Sequence, residues 1–323
     1  MYQSFYNLNR DPFEITPDPS FLFPTKRHNE ALASLYYGVR QHKGFVVLTG
    51  EVGTGKTLLL RCLLQLLKKN NDVAYAYVFN GLLSPLEFLQ YAAADFGIAA
   101  SNKNKSELLF NLFHYLIERN RRDLTTVLVV DEAHLLSNGV LEEIRLLTNL
   151  ETPQAKLLQI LLVGQPELDH KLDSIELRQL KQRITVRSRL APLDLEETGG
   201  YIERRLQLSG ANSHAPEMFP AQTVAAVHRC SGGIPRLINT VCENALIAAY
   251  AKRMHCVTPD IVEEIAAEFR LGVVHRPSRE SANPIDESEV RRAAKTMLEI
   301  YGQLVKSSRA PETVATNSPA SGE

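Results

Sequence analysis

The chain has 323 residues and a formal net charge of −1, with 44% hydrophobic and 23% charged residues. This composition is that of a soluble globular protein, and the length is enough for about two compact units. The near-zero charge excludes a global attraction to nucleic acid, so any such surface has to be a local patch.

Targeting and membrane segments are not expected from the sequence. The first residues do not begin a signal peptide, because no basic stretch is followed by an apolar one. No apolar run is long enough to cross a bilayer, so we expect no membrane span. The four cysteines are scattered without C-x-x-C spacing, which favours reduced thiols over a metal site or a disulfide framework.

A phosphate-binding loop is predicted after the first apolar run. The pattern G-x-x-x-x-G-K-T occupies Gly50-Glu51-Val52-Gly53-Thr54-Gly55-Lys56-Thr57, and Leu58 continues it into an apolar helix. Glycines let backbone N–H groups surround phosphate oxygens, and the helix adds its N-terminal dipole. Lys56 is expected to reach the β- and γ-phosphates, and the Thr57 hydroxyl to ligate Mg²⁺. The strand–loop–helix context favours this interpretation over an ordinary glycine-rich turn.

A parallel sheet covered by helices on both faces is predicted from residue 45 to about 190, where short aliphatic runs alternate with helical patterns. The expected strands are Phe45–Leu48, Val73–Phe79, Thr125–Val130, Leu157–Val163 and Ile184–Leu190. Three helices are expected between them. The first begins with the capping box Ser84-Pro85-Leu86-Glu87, the second covers Ser106 to Arg122, and the third covers Asn138 to about Leu150.

The third predicted strand ends in two carboxylates, Asp131 and Glu132. Asp131 is expected to hold Mg²⁺ through water, and Glu132 to orient and polarise an attacking water. The alternative is that both residues only cap the next helix, but the phosphate loop upstream favours catalysis. No N-K-x-D element of a guanine site occurs, which favours ATP as the nucleotide.

Polar and basic residues flank the last two predicted strands. Gln165 follows Leu157–Val163 and is the candidate sensor beside the γ-phosphate, unless it only begins a helix before Pro166. Arg183 lies just before the last core strand, and its permanent charge suits a neighbouring subunit's γ-phosphate, with Arg178 as the second candidate. The alternative is a solvated basic face.

An all-helical lid is predicted over residues 191–271, where the strands stop. Its helices are expected from the capping box Asp194-Leu195-Glu196-Glu197 to Ser209, from Pro220 to Cys230, from Pro235 to Arg253, and from Thr258 to about Phe269. Arg236 follows Gly232-Gly233 at the start of a lid helix. We expect it to touch phosphate from the lid side and to report hydrolysis as lid movement.

The composition changes beyond the lid. Residues 272–288 are expected to be a linker, residues 289–306 an amphipathic helix, and residues 307–323 a disordered tail. The 289–306 helix either packs on the lid or docks a protein partner, and the pattern does not separate these alternatives.

The combination of phosphate loop, carboxylate pair, polar sensor, pre-strand arginine and helical lid resembles the AAA+ ATPases. The run from Met1 to Phe23, Asp131-Glu132-Ala133-His134 and Val163-Gly164-Gln165-Pro166-Glu167-Leu168 narrow the resemblance to the ExeA (general secretion pathway protein A) family, over about residues 1–270. The resemblance implies an α/β fold: a P-loop parallel sheet flanked by helices in a core of residues 1–190, with a C-terminal all-α lid subdomain. It also implies that the N-terminal segment wraps the adenine base, with Pro12, Phe13 and the stretch around Phe23 lining the adenine pocket.

The resemblance implies an ATP-hydrolysing switch that binds ATP and Mg²⁺ and assembles with itself as a ring or filament. Such a switch supports an envelope, secretion or polysaccharide-export system through a protein partner, from the cytoplasm or peripherally at the inner membrane. The module is also similar to the TniB, TnsC and MuB ATPases, which assemble on double-stranded DNA and regulate transposition. Phosphate contacts would then come from Arg119, Arg121 and Arg122, or from Arg187 and Arg189. A non-catalytic scaffold is the third alternative, and the intact Glu132 argues against it. The whole-family resemblance favours the first.

Overall fold

The computed structural model describes residues 2–69, 72–79, 81–211 and 215–271. These residues form a sheet with helices on both faces, followed by a helical lid. The predicted linker at 272–288, helix at 289–306 and tail at 307–323 lie outside the described residues. No helix of the described part has both the length and the apolar character that crossing a bilayer requires.

The sheet has five parallel strands in the order β2-β3-β4-β1-β5. They are β1 (Phe45–Gly50), β2 (Val73–Val78), β3 (Thr125–Val130), β4 (Gln159–Gly164) and β5 (Val186–Leu190). The three central strands are buried at every position, which explains why they are continuous apolar runs rather than alternating ones. Because all strands run the same way, the ends of β1, β3 and β4 meet at one edge. The predicted fold class is confirmed.

Helices α1 to α8 precede or surround the sheet, and α9 to α13 form the lid. The first set is α1 (Tyr2–Phe5), α2 (Lys26–Arg40), α3 (Lys56–Lys68), α4 (Pro85–Asp95), α5 (Lys105–Asn120), α6 (Asn138–Leu147), α7 (Pro166–Leu172) and α8 (Arg178–Lys181). The lid set is α9 (Leu195–Leu208), α10 (Ala215–Met218), α11 (Ala221–Ser231), α12 (Pro235–Ala251) and α13 (Pro259–Glu268).

The helix starts follow their predicted caps with one exception. The capping boxes at Ser84 and Asp194 are both formed. Helix α5 begins earlier than expected, because Asn104 rather than Ser106 is its N-cap and pairs reciprocally with Glu107. Asn and Ser are comparable N-caps, and the glutamate three residues after Asn104 completes the capping box.

The two faces of the sheet bury separate apolar cores. Val127 and Val129 of β3 face one core, with α2 and α3, while Leu128 and Val130 face the other, with α4 and α6. This alternation follows from the two-residue period of a strand. The sheet is thus covered on both sides, and the edge where β1, β3 and β4 end is left for a site.

The N-terminal segment packs into the lid. Tyr2, Tyr6, Leu8 and Phe13 are buried in the same apolar cluster as the lid helices. The Tyr6 hydroxyl donates to the carbonyl of Met254 at 2.9 Å. The segment that the family resemblance implies to wrap the adenine base therefore shares the lid's interior before it continues to α2.

Candidate functional site

The loop between β1 and α3 depends on two glycines. Gly53 has φ +81° and Gly55 has φ +96°, a region of backbone conformation that side chains with a Cβ rarely adopt. A Cβ atom on Gly53 would also lie 2.7 Å from the Cβ of Arg236 in the lid. Glycine at this position therefore serves the loop conformation and the close approach of the lid.

Lys56 is buried at the start of α3. Its Nζ donates to the carbonyls of Gly50 at 2.8 Å and Glu51 at 2.9 Å. Burial lowers the pKa of Lys56, and the carboxylates of Glu132 and Asp131 oppose that shift. The ammonium group is thus held at the loop by neutral carbonyl oxygens, which an anion can replace as partners.

Asp131 follows β3 and is held by three donors. Its Oδ2 accepts from the Tyr77 hydroxyl at 2.7 Å and from the Thr57 hydroxyl at 3.3 Å, and its Oδ1 accepts from the Glu132 N–H at 2.9 Å. Burial, and then the Asp131 carboxylate, raise the pKa of Tyr77, so the phenol keeps its proton and donates it. A hydroxyl and a carboxylate side by side are the hard oxygen ligands that Mg²⁺ prefers, so the residues present fit this ion.

Glu132 turns out of the sheet directly after Asp131. Its φ is +52°, a left-handed conformation for a residue with a side chain, and such conformations concentrate at functional sites. Its Oε2 lies 3.4 Å from Nδ1 of His134. That same Nδ1 lies 3.5 Å from the backbone N of Gln165, at the end of β4. His134 thus connects the ends of two neighbouring strands.

One cavity of about 300 Å³ is lined by half of the predicted site residues. The loop, the two strand ends, the N-terminal segment and the lid all contribute to its lining. The lining residues are Ile15, Thr16, Pro17, Val52, Gly53, Gly55, Lys56, Thr57, Leu58, Glu132, Gln165, Tyr201, Arg205, Pro235, Arg236 and Asn239. Volumes of this order are typical of small-molecule sites.

The lid touches the loop directly. The backbone N–H of Arg236 donates to the carbonyl of Gly53 at 3.2 Å, and the Arg236 residue lines the cavity. On the same side, the Arg205 guanidinium donates through one nitrogen to the carbonyls of Pro12 at 2.8 Å and Glu14 at 3.3 Å. The lid therefore holds both the loop and the N-terminal segment at the cavity.

The N-terminal segment is also anchored to the core. Arg61 of α3 donates to the carbonyl of Pro17 at 2.7 Å. His28 of α2 places Nε2 3.2 Å from the Thr54 carbonyl and Nδ1 2.7 Å from the Thr25 hydroxyl. Because a carbonyl only accepts, Nε2 carries the proton and Thr25 donates to Nδ1. Burial lowers the pKa of His28, consistent with this neutral form.

The residues that the resemblance implies for the adenine pocket are not the ones that line the cavity. Pro12, Phe13 and Phe23 do not line the cavity, whereas Ile15, Thr16 and Pro17 do. Phe13 is fully buried against Phe219, with ring centroids 5.8 Å apart, and Phe23 packs edge-on against Tyr201 at 6.0 Å. The aromatic rings are used to attach the segment to the lid, which leaves the residues between them to face the cleft.

The two candidate finger arginines lie away from the cavity of their own chain. Arg183 is half-buried and donates to the Thr148 hydroxyl at 2.6 Å. Arg178 is exposed at the start of α8. A phosphate role for either residue therefore requires the site of a neighbouring subunit.

Several site residues were missed by sequence reasoning. Tyr77, His28 and Arg205 lie inside apolar or helical stretches, where their residue types are ordinary. Two histidines carried a signal, since His28 begins the run His28-Asn29-Glu30-Ala31-Leu32 and His134 completes the D-E-A-H run, and both runs belong to the family resemblance. Their roles depend on contacts between distant segments, such as Arg205 with Pro12.

Known proteins resemble this chain in sequence and in fold. Residues 39–172 match a family model described as an AAA domain. General secretion pathway protein A of Aeromonas hydrophila is 45% identical over 256 residues, covering 79% of this chain and 46% of that protein. The chain thus spans about half the length of that curated relative.

Two solved structures share the fold. Cdc6p from Pyrobaculum aerophilum has a TM-score of 0.61 at 18% identity and covers 88% of this chain and 85% of that one. Drosophila ORC bound to DNA has a TM-score of 0.59 at 19% identity, covering 94% of this chain and 79% of that one. At such identities the likeness is one of fold alone.

Proposed function

The chain carries an AAA+ ATPase module that resembles the one in general secretion pathway protein A, and from this premise we propose that it binds and hydrolyses ATP as an oligomeric switch. The observation that carries the proposal is the meeting of Lys56, Thr57 and Glu132 at one cavity, with Asp131 hydrogen-bonded to Thr57 at its edge. A phosphate cradle, two oxygen ligands for Mg²⁺ and a carboxylate for water are what phosphoryl transfer to water requires.

The loop residues bind the phosphates in this proposal. The N–H groups of Gly53 to Thr57 donate hydrogen bonds to phosphate oxygens, and the Lys56 ammonium offsets part of their negative charge. Lys56 then exchanges its carbonyl partners for phosphate oxygens. Thr57 and Asp131 hold Mg²⁺, which supplies charge neutralisation at the β- and γ-phosphates when bound. Glu132 orients a water molecule and accepts its proton as the water oxygen bonds to the γ-phosphorus. The bond from that phosphorus to the β,γ-bridging oxygen breaks, and ADP leaves.

Gln165 and Arg236 respond to the γ-phosphate. Gln165 lies at the end of β4, next to the strand that ends in Glu132, and Arg236 faces the cavity from the lid. Because the backbone of Arg236 is hydrogen-bonded to Gly53, loss of the γ-phosphate alters contacts at the joint between loop and lid. Hydrolysis would thereby be converted into lid movement.

Assembly completes the site in this proposal. Arg183, with Arg178 as the second candidate, reaches the γ-phosphate of the next subunit, in a ring or a filament. A monomer then hydrolyses ATP poorly, and assembly turns activity on. The position of both arginines outside their own chain's cavity supports this arrangement.

The partner is proposed to be a protein of an envelope, secretion or export system. The support is the 45% identity to general secretion pathway protein A of Aeromonas hydrophila. A cytoplasmic location, or a peripheral one at the inner membrane through that partner, goes with the proposal.

Double-stranded DNA is the alternative partner, suggested by the fold shared with the DNA-bound Drosophila ORC. Three of the arginines considered for phosphate contacts already have partners within the chain. Arg119 donates to Thr126, Arg121 pairs with Glu118 at 2.6 Å, and Arg187 lies 3.3 Å from Asp169. These contacts favour the protein partner.

The test is steady-state ATP hydrolysis by the wild type and by Glu132→Gln, with and without double-stranded DNA, at low and moderate salt. Mg²⁺-dependent turnover that is lost in Glu132→Gln is the expected result. Turnover that is insensitive to this substitution would overturn the proposal. Stimulation by DNA that survives moderate salt would replace the protein partner with DNA.

A further inference from the structure

The side chain of Tyr77 contacts Asp131, one of the two residues proposed to hold Mg²⁺. Tyr77 belongs to β2, the edge strand beside β3, and is paired in register with Val129, two residues before Asp131. From there its side chain reaches past the end of β3, and its hydroxyl donates to Oδ2 of Asp131 at 2.7 Å. The contact joins two strands through a side-chain hydrogen bond at the edge where Mg²⁺ is proposed to bind.

The Tyr77 bond is the shorter of the two that Oδ2 accepts from hydroxyls. The other, from Thr57, is 3.3 Å long. An O–H group that donates to a carboxylate forms a charge-assisted bond, stronger than one between neutral groups. Thr57 is itself a proposed Mg²⁺ ligand, so its hydroxyl has two tasks. Tyr77 does not line the cavity, and within the described residues its hydroxyl donates to the Asp131 carboxylate.

We propose that Tyr77 is a positioning residue for Mg²⁺: its phenol fixes the Asp131 carboxylate in the orientation in which it serves the ion. The inference rests on the proposed ATPase function and extends it to a residue behind the ligands. Partners of this kind set the orientation of metal ligands, and their loss typically lowers metal affinity or activity by about 10- to 100-fold. Tyr77 acts through Asp131, so its removal affects the Mg²⁺ requirement and leaves nucleotide contacts in place.

The same strand provides a matched control. Tyr75 is two residues earlier and therefore on the same face of β2, and it is also partly buried. Its ring lies 5.0 Å from the Lys68 ammonium, and Asp131 accepts its hydroxyl bonds from Tyr77 and Thr57 instead. Tyr75→Phe removes a hydroxyl from the same strand and leaves the Asp131 carboxylate untouched.

The experiment measures binding of a fluorescent ATP analogue as a function of Mg²⁺ concentration, for the wild type, Tyr77→Phe and Tyr75→Phe. We expect Tyr77→Phe to raise the half-saturating Mg²⁺ concentration about tenfold. Affinity for the analogue without Mg²⁺ should stay at the wild-type value, which also shows that the variant is folded. The kcat of Tyr77→Phe should recover to within about threefold of wild type at saturating Mg²⁺, since Glu132 is unaffected.

A double-mutant cycle separates this role from a general effect on stability. In an Asp131→Asn background, Tyr77→Phe should add less to the Mg²⁺ requirement than it does alone, because both act on one carboxylate. An unchanged Mg²⁺ requirement in Tyr77→Phe, or an equal shift in Tyr75→Phe, would overturn the inference. Hydrolysis by the wild type that persists without Mg²⁺ would overturn the proposed function as well. This outcome is distinguishable from a failure of the Tyr77 inference, because it is measured on the wild type alone.

Discussion

The backbone N–H of Arg236 donates to the carbonyl oxygen of Gly53 at 3.2 Å, and a Cβ on Gly53 would come within 2.7 Å of the Arg236 Cβ. The phosphate loop and the lid are therefore in direct main-chain contact at a position where no side chain fits. A movement of the loop therefore displaces the first turn of α12, and a movement of α12 displaces the loop.

Gly53→Ala tests this contact. The new methyl group meets Arg236 and strains a backbone at φ +81°. We therefore expect ATP affinity to fall about tenfold or more, which corresponds to a loss of about 1.4 kcal/mol or more of binding free energy. Gly97→Ala is the control, because Gly97 has φ +79° with nothing within 4 Å of the added Cβ. Both variants lose about 1–2 kcal/mol of stability from the left-handed backbone. Equal ATP affinities in the two variants would contradict a specific role for Gly53.

Lys56→Ala and Glu132→Gln should separate binding from turnover. Without the Lys56 ammonium the loop loses its buried cation, so nucleotide binding should be lost in equilibrium titrations. Glu132→Gln keeps the shape of the side chain but removes the base, so ATP should bind normally while kcat falls by about 10² to 10⁴. ATP-bound assemblies should then accumulate on size-exclusion chromatography. A Glu132→Gln variant that turns over normally would remove Glu132 from the mechanism.

Arg183→Ala should leave ATP binding intact and remove turnover, with a loss of about 10³-fold or more for an arginine finger. The decisive measurement mixes Arg183→Ala with Lys56→Ala, since a mixed assembly contains sites with an intact loop and an intact neighbouring arginine. Recovery of hydrolysis on mixing is expected. Thr148→Val is the control that removes only the hydroxyl to which Arg183 donates. Full activity of Arg183→Ala, together with loss in Arg178→Ala, would transfer the role to Arg178.

Arg205→Met should loosen the N-terminal segment at the cleft. Arg205 is 5% exposed and donates to the Pro12 and Glu14 carbonyls, so its removal should cost about 1.5–3 kcal/mol, as for hydrogen bonds from charged groups. ATP affinity should fall along with stability. Arg10→Met is matched, because Arg10 also stacks on the Phe21 ring, at 4.1 Å against 4.7 Å for Arg205. An Arg10→Met variant that loses as much ATP affinity would contradict the special role of Arg205.

Glu243→Gln should stabilise the protein at neutral pH. Burial, with Asp11 and Glu14 nearby, raises the pKa of Glu243 against the opposing bond from Tyr2. The folded state therefore holds this proton more tightly than the unfolded state, and the stability it contributes at acidic pH is lost as pH rises through the raised pKa. The Tm of Glu243→Gln should exceed that of wild type at pH 7 by roughly 2 °C. This difference in Tm should vanish at about pH 4, where the wild-type carboxyl is protonated. A Tm gain that is the same at both pH values would exclude the carboxylate as its cause.

Some features of this molecule were readable from its sequence because they are local. The loop, the carboxylate pair and the buried strands have short patterns that reflect backbone geometry and burial, and the sheet lies where they predicted. The packing of Phe13 against Phe219, and the bond from Tyr77 to Asp131, join segments far apart in the chain. No periodicity specifies such pairs, and a tyrosine inside a strand is an ordinary residue. The roles of the individual site residues remain predictions for the experiments above.

Residues Ile15 to Pro17 form a short connection between the lid and α3. On one side Glu14 is bonded to the lid through Arg205, and on the other Pro17 is bonded to α3 through Arg61. Three residues of fully extended chain span about 10 Å. While both hydrogen bonds hold, the Glu14 and Pro17 carbonyls cannot separate by more than about 10 Å, which limits how far the lid can move from α3 as the nucleotide leaves. This tether would set an upper limit on the lid movement in each cycle of ATP binding and hydrolysis.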